Sequence, residues 1–401
     1  SLLKVGTFMG DVIDANLQDV NFALYKYTGS DNTFAENYEP NDTALADDFT
    51  LVSKETTGND GKIAWNNLDT GWYYLVETGI KSQSEADGKY EVNSANHRMV
   101  FLDSGNSINY TDVNSDVNSC FKNDTTYGKF KIQKVDANSK NGLSGVVFDI
   151  YTSEQCDSSS RATDINGNPA SITTESDGKG TSPLLPAGIY YLKERTAPSG
   201  YAYDNEDGIT GPYEVNSNTI EDYTKIPITN TKLFSIVATK KESNTDNPLA
   251  GAVIGLYTDP DVAAAGLTTN PDESKVEGFV ESKTTDSSGV VRFTGLKFDA
   301  SGTSTYYIRE LEPPADHKLN DTVYTVNVNY SENKTEFTFT GNNGNDGVIY
   351  NDLLGNVTIH KQGSWQSIND QAKTAVDLEG VGFSLYKVDK AGETHTEGAV
   401  A

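Results

Sequence analysis

One short pattern recurs along this chain at intervals far longer than a solenoid period. An apolar strand closing on tyrosine occurs as DVNFALY (19–25), GVVFDIY (145–151), GAVIGLY (251–257) and GVGFSLY (380–386). The closing tyrosines are 126, 106 and 129 residues apart. Those are domain-sized intervals, so each copy opens a bead with its own core instead of one turn of a continuous stack. The first three beads then repeat one order of signals. A glycine turn (Asp60-Gly61, Asp177-Gly178, Ser288-Gly289) leads to a short strand, a Tyr-Tyr strand, and a bend at Thr78-Gly79, Ala197-Pro198-Ser199-Gly200-Tyr201 or Pro313-Pro314. Alternating strands such as 324–328 and a terminal strand follow. Many short strands separated by turn residues predict an all-β protein of tandem Ig-like β-sandwiches in an elongated array. The expected units are 1–126 with an insertion at 81–116, then 127–232, then 233–354, and 355–401 as the incomplete start of a fourth.

The Tyr-Tyr strands carry an anomaly. Side chains alternate faces along a strand, so Tyr73, Leu75 and Glu77 point one way, as do Tyr190, Leu192 and Glu194, and Tyr306, Ile308 and Glu310. An ionised carboxylate on a core face costs several kcal/mol unless it finds a partner or takes up a proton. The opening strands offer a cation in phase with apolar residues: Lys134 after Phe130 and Ile132, Lys240 after Phe234 and Ile236, Lys361 after Val357 and Ile359, and Lys4 after Leu2. Lys241, in phase with Leu233 and Val237, competes with Lys240; the equal gaps from Lys240 to Leu249 and from Lys134 to Leu143 favour Lys240. The closing strands offer an amide: Asn230 in phase with Ile226 and Ile228, Asn351 with Ile349, and Asn123 with Phe121.

Lysine, glutamate and asparagine meeting in a dry interior make a reactive set. Burial lowers a lysine pKa to about 5–6 and raises a glutamate to about 8–9, leaving a neutral amine beside a neutral acid. The amine attacks the asparagine carbonyl while the acid hydrogen-bonds the oxygen and relays protons, expelling ammonia and leaving an amide crosslink. A single strand-end lysine ordinarily snorkels to water, and a single glutamate after Tyr-Tyr ordinarily sits at a sheet rim. Three recurrences in matching order favour the inward reading.

Composition removes other classes. With 31 Lys+Arg against 58 Asp+Glu, the net charge of -27 excludes nucleic acid and an anionic membrane as partners. No apolar run spans a bilayer, and no signal peptide or sorting signal occurs within these residues. Cys120 and Cys156 lie in different repeats, and their spacing gives no support for a disulfide. Four dispersed histidines support neither a metal site nor a hydrolase triad, and no cofactor is expected. Asp112-Val113-Asn114-Ser115-Asp116 opens like a calcium loop, but Val117 stands where glycine is required and no glutamate closes it. Trp65, Trp72 and Trp365 read as core packing, with a sugar platform as the alternative.

The segments KVD (134–136), LSGVVFDIY (143–151), GIYYLKERTAPSGY (188–201) and ITNT (228–231) resemble the Cna B-type, or SpaA-type, prealbumin-like domains of Gram-positive surface proteins and pilins. The resemblance covers three full units and the start of a fourth. It implies intramolecular isopeptide bonds Lys134–Asn230 beside Glu194, Lys240–Asn351 beside Glu310, and Lys4–Asn123 beside Glu77, with Lys361 as an amine whose partner is absent. The first unit departs from the pattern in lacking the APxGY bend and in carrying the 81–116 insertion.

The function implied is that of an extracellular, wall-anchored structural stalk of an adhesin, whose only reaction is single-turnover self-crosslinking. Two alternatives stay open. In the first, the chain is a pilus backbone subunit polymerised by sortase to sibling subunits; Cys120-Phe121-Lys122-Asn123 loosely matches the YPKN pilin motif without its Tyr-Pro, making Lys122 the acceptor. In the second, the first unit is a module for a host or matrix ligand. The fourth unit is either truncated or completed by another chain.

Overall fold

The computed structural model describes residues 1–30, 33–114, 119–270, 274–341, 344–366, 373–377 and 379–383. Three separate apolar cores form, each between two sheets: around Leu2, Phe22, Leu75 and Phe121; around Phe130, Phe148, Ile150 and Leu192; and around Phe234, Ile254, Phe293 and Ile308. One sheet of each sandwich is antiparallel and four-stranded, with the tyrosine-closing strand paired to the Tyr-Tyr strand at its centre. These central pairs are Val20–Tyr27 with Gly71–Ile80, Val147–Tyr151 with Gly188–Glu194, and Val253–Tyr257 with Thr303–Glu312. Their register repeats: Glu77 lies opposite Phe22, Glu194 opposite Phe148 and Glu310 opposite Ile254. A glutamate thereby enters each core in place of an apolar side chain.

The facing sheet is built on the opening strand, and the closing strand lies parallel beside it. Leu2–Phe8 pairs with Phe121–Asp124, Tyr127–Asp136 with Ile228–Glu242, and Ile228–Glu242 in turn with Val348–Asn351. Asn123 is opposite Gly6, Asn230 opposite Asp136 and Asn351 opposite Glu242, in each unit two residues beyond the lysine. Two residues keep the face, so lysine and asparagine are diagonal neighbours on the inward side of adjacent strands.

Four differences from the sequence expectation stand out. Ile226 is 81% exposed and outside the closing strand, which begins at Ile228. Pro227 has no N–H to give to a ladder, so pairing starts after it. That strand then continues unbroken through the expected boundary near residue 232 and serves as the opening strand of the third sandwich.

The first unit also buries both faces of its sheets. Every residue of Leu2–Phe8 is buried, with Ala86, Tyr90 and Tyr110 joining the core; the expected insertion at 81–116 contains His97–Leu102, the outer strand of the four-stranded sheet. Tyr74, on the strand face opposite Tyr73, packs with Phe49, Met99 and Trp72 under Phe34, Tyr38 and Leu45, the last on a helix, Asp42–Asp48, that starts at the cap Asn41.

Finally, 357–361 is not a strand: Val357 and Ile359 are 70% and 54% exposed, and Lys361 is exposed. Among the described residues beyond 355 the strands are Gln362–Gln366 and Lys373–Asp377, a single hairpin. Among the described residues no second sheet covers this hairpin to bury an inward phase against. Gly380–Phe383 is not in a strand either, and 384–386 and the Trp365 side chain lie outside the described residues.

Candidate functional site

Each lysine is fixed by its own backbone before its amine matters. The N–H groups of Lys4, Lys134 and Lys240 donate to the carbonyls of the turn glycines Gly61, Gly178 and Gly289 at 2.8, 2.7 and 2.7 Å. Their carbonyls accept from Leu17, Leu143 and Leu249, each at 2.9 Å. The equal lysine-to-leucine gaps that favoured Lys240 correspond to this contact, and Lys241 is only half-buried. Gly178 holds φ +78°, and a Cβ there would lie 2.1 Å from the Lys134 carbonyl oxygen. Only glycine allows turn and strand to approach so closely.

The structure brings all three predicted triads together, all nine side chains at most 5% exposed. In the first unit Lys4 Nζ donates to Asn123 Oδ1 at 2.6 Å and lies 3.0 Å from Glu77 Oε2, while Asn123 Nδ2 donates to Glu77 Oε1 at 2.7 Å. In the second, Lys134 Nζ donates to Asn230 Oδ1 at 2.6 Å and lies 3.1 Å from Glu194 Oε2, with Asn230 Nδ2 donating to Glu194 Oε1 at 2.7 Å. Lys134 also donates to the Thr229 carbonyl at 2.7 Å. In the third, Lys240 Nζ donates to Asn351 Oδ1 and sits 3.3 Å from Glu310 Oε1, and Asn351 Nδ2 reaches Oε1 and Oε2 at 2.9 and 3.0 Å.

Burial dominates the lysine electrostatics. It draws Lys4 from an ordinary 10.5 to about 8 against the opposing pull of Glu77, and Lys240 likewise to about 8 against Glu310. Lys134 is lowered for the same reason, with Glu194 opposing. Each amine therefore gives up its proton more readily than in water, next to a carboxyl group that also touches the amide nitrogen.

Several polar groups around the triads had no sequence signal. Asn96 Nδ2 donates to Glu77 Oε2 at 2.6 Å, and the Asn320 N–H donates to Glu310 Oε2 at 2.7 Å. They follow their glutamates by 19 and 10 residues, so no common spacing exposes them. Lys122 is half-buried on the opposite face from Asn123, and its carbonyl accepts from Asn93 and Asn96.

The weaker motifs fall elsewhere. Cys120 and Cys156 are buried free thiols. Trp65 packs on the first core and donates to Ser53 Oγ at 2.9 Å, and Trp72 stacks near Phe34 and Phe101. Asp112 accepts from the Asn114 N–H at 2.9 Å, while 115–117 lie outside the described residues. Among the described residues no group of three His, Cys, Asp or Glu side chains is placed to hold a metal, and no helix is long and apolar enough to cross a membrane.

The sequence pattern of the SpaA prealbumin-like fold domain matches residues 11–113, 128–231 and 234–343. The chain belongs to this family. Its three sandwiches are tandem prealbumin-like domains, and the second matched segment of this SpaA-type chain contains a whole triad, Lys134, Glu194 and Asn230. Among solved structures it is similar to the Streptococcal ancillary pilin, at 17% identity and TM-score 0.32 over 83% of this chain and 92% of that one. It is also similar to the shaft pilin SpaA from Lactobacillus rhamnosus GG, at 16% identity and TM-score 0.28 over 58% and 100%. With the Bacillus anthracis TIE protein it shares 17% identity at TM-score 0.31, covering 88% of this chain but only 49% of that one, so it spans about half the length of that relative. These scores are low, and the family assignment rests on the three matched segments. No curated protein matches the chain.

Proposed function

We propose that this chain is a structural shaft segment at a Gram-positive cell surface, in which each prealbumin-like unit joins its first strand to its last by a Lys–Asn isopeptide bond. The units are 1–126, 127–232 and 233–354, with bonds Lys4–Asn123, Lys134–Asn230 and Lys240–Asn351. The observation that carries this reading is the threefold recurrence of an amine, a carboxyl and an amide in mutual contact inside a dry core. In the first unit a proton passes from the Lys4 ammonium to Glu77 across their 3.0 Å contact. The freed amine bonds to Asn123 Cγ; the Glu77 carboxyl delivers its proton to Nδ2 and takes up the remaining surplus proton from Nζ, and the Cγ–Nδ2 bond breaks to release ammonia. Atoms and charge balance without a cofactor. Glu194 and Glu310 take the same role in their units.

The mechanical consequence favours a shaft. A bond between residues 96 positions apart closes nearly a whole unit, which by analogy with a disulfide contributes about 4–5 kcal/mol. Tension entering along an opening strand crosses the bond to the closing strand and bypasses the rest of the sandwich. Wall anchoring and an extracellular location belong to this reading, with no external substrate.

Intact-mass measurement of the purified chain is the test. Loss of three ammonia molecules per chain is expected; an unmodified mass overturns the crosslinking.

A second reading makes the first unit a ligand-binding adhesin module, and a cavity of about 700 Å³ in that unit, with Trp65, Asp69, Asp103 and Asn106 in its wall, favours it. Binding of that unit to an array of matrix proteins and glycans tests it. For the pilus-backbone alternative, in which sortase joins sibling subunits through Lys122, a ladder of covalent multimers in wall extracts that disappears in Lys122→Ala decides the matter.

A further inference from the structure

In the first unit the carbonyl that faces Lys4 has a second donor. Asn96, 6% exposed and placed just before the strand His97–Leu102, directs Nδ2 at Asn123 Oδ1 (2.9 Å), Glu77 Oε2 (2.6 Å) and the Lys122 carbonyl (2.9 Å). All three neighbours are acceptors, which sets the NH₂ end of this amide toward them. The other units differ. Among the described residues Asn230 Oδ1 and Asn351 Oδ1 accept from Lys134 and Lys240 alone, and the third unit's Asn320 gives its amide to the Tyr350 carbonyl and Tyr324.

We propose that Asn96 is a catalytic residue of the first unit, the oxyanion donor for its crosslink; this rests on the isopeptide reading given above. Before reaction Lys4 Nζ itself donates to Asn123 Oδ1. As Nζ bonds to Cγ, the carbonyl π pair moves onto Oδ1, and Nζ, now attached to the same carbon, no longer aims a proton at that oxygen. The Asn96 N–H keeps its direction and meets the new negative charge. When the pair returns, the Cγ–Nδ2 bond breaks, the Glu77 carboxyl supplies the proton that leaves with ammonia, and it ends holding the one taken from Nζ. A donor that gains strength only as charge develops lowers the barrier without tightening the starting state. The segment that leads into the outer strand His97–Leu102 of the four-stranded sheet thus supplies a part of the site.

The test follows bond formation in the full chain after a pulse of synthesis, with the three crosslinked peptides quantified by digestion and mass spectrometry. Asn96→Ala is expected to slow the Lys4–Asn123 bond about 100-fold while the other two bonds form at the wild-type rate in the same molecules. Asn93→Ala is the control: Asn93 Nδ2 also donates to the Lys122 carbonyl, at 3.0 Å, but does not touch Asn123 Oδ1. It is expected to leave the rate unchanged. Should alanine unfold the first unit, Asn96→Leu fills the space without an N–H and is expected to show the same lag. A wild-type rate in folded Asn96→Ala or Asn96→Leu, or an equal lag in Asn93→Ala, overturns the role of Asn96. Absence of all three bonds from the wild type overturns the isopeptide reading instead.

Discussion

Asn230 and Lys240 stand on one unbroken strand, Ile228–Glu242, the first meeting Lys134 in the second core and the second meeting Asn351 in the third. The last strand of one sandwich is the first strand of the next. Between the two residues the backbone is already extended at about 3.3 Å per residue, close to the chain's limit of about 3.6 Å, so little length remains to be pulled out. With the bonds in place, a load path runs Lys134, Asn230, strand, Lys240, Asn351, with no coil in series.

Glu194→Ala is expected to leave Lys134 and Asn230 unjoined, so that its intact mass falls short of the mass calculated from its own sequence by two ammonia molecules instead of three. Loss of the closed loop lowers the midpoint of the second unit by on the order of 20 °C in calorimetry. In single-molecule pulling, that unit alone gains an unfolding event of about 300 Å, as the chain between the former crosslink sites pays out.

Gly178→Ala is expected to act on the same bond from outside the core. The residue sits at φ +78°, and its new Cβ meets the Lys134 carbonyl oxygen 2.1 Å away. Strand or turn must shift, destabilising the unit by about 1–3 kcal/mol and moving Nζ off its partner. Peptide mapping should show the Lys134–Asn230 crosslink reduced and the other two intact.

Lys4 predicts a pH dependence in a chain that cannot crosslink. In Asn123→Ala the buried amine releases its proton at about 8, whereas in the unfolded chain it holds it to 10.5. Between those values the unfolded state binds more protons, so stability rises with pH across that window and is flat below it. The rise amounts to about 3 kcal/mol and is read from urea midpoints of the first unit at pH 7 and pH 10.

Asp136 predicts an acid-sensitive joint. Its carboxylate accepts from Tyr201 of the second unit and Tyr330 of the third, each at 2.9 Å, and from the Asn138 and Ser139 N–H groups. Burial pushes its pKa up, but these hydrogen bonds outweigh burial and hold the group below the usual 3.8. A lowered folded value stabilises above 3.8 and loses that contribution as pH falls through it. Asp136→Ala should raise amide exchange around Tyr330 and Asn138 at neutral pH without changing the number of ammonia molecules lost, and acid should reproduce this in the wild type.

The two-residue period of a strand assigns a face to each side chain before any partner is known. For that reason the inward positions of Lys4, Lys134, Lys240, Glu77, Glu194, Glu310, Asn123, Asn230 and Asn351 were readable, as were the repeat and the sandwich class. Phase fails where its premise fails: Lys361 has the pattern but no described sheet above it, and Ile226 precedes a proline that starts the strand late.

The order of local signals along the chain therefore determined by itself that amine, acid and amide face inward in the first three beads. Tertiary structure alone decided what else reaches them. Asn96 arrives from the loop before the strand His97–Leu102, Asp136 is completed by a tyrosine 194 residues away, and two expected strands fuse into one. Contacts between distant segments depend on how loops close and sheets stack, and no local rule of alternation carries that information.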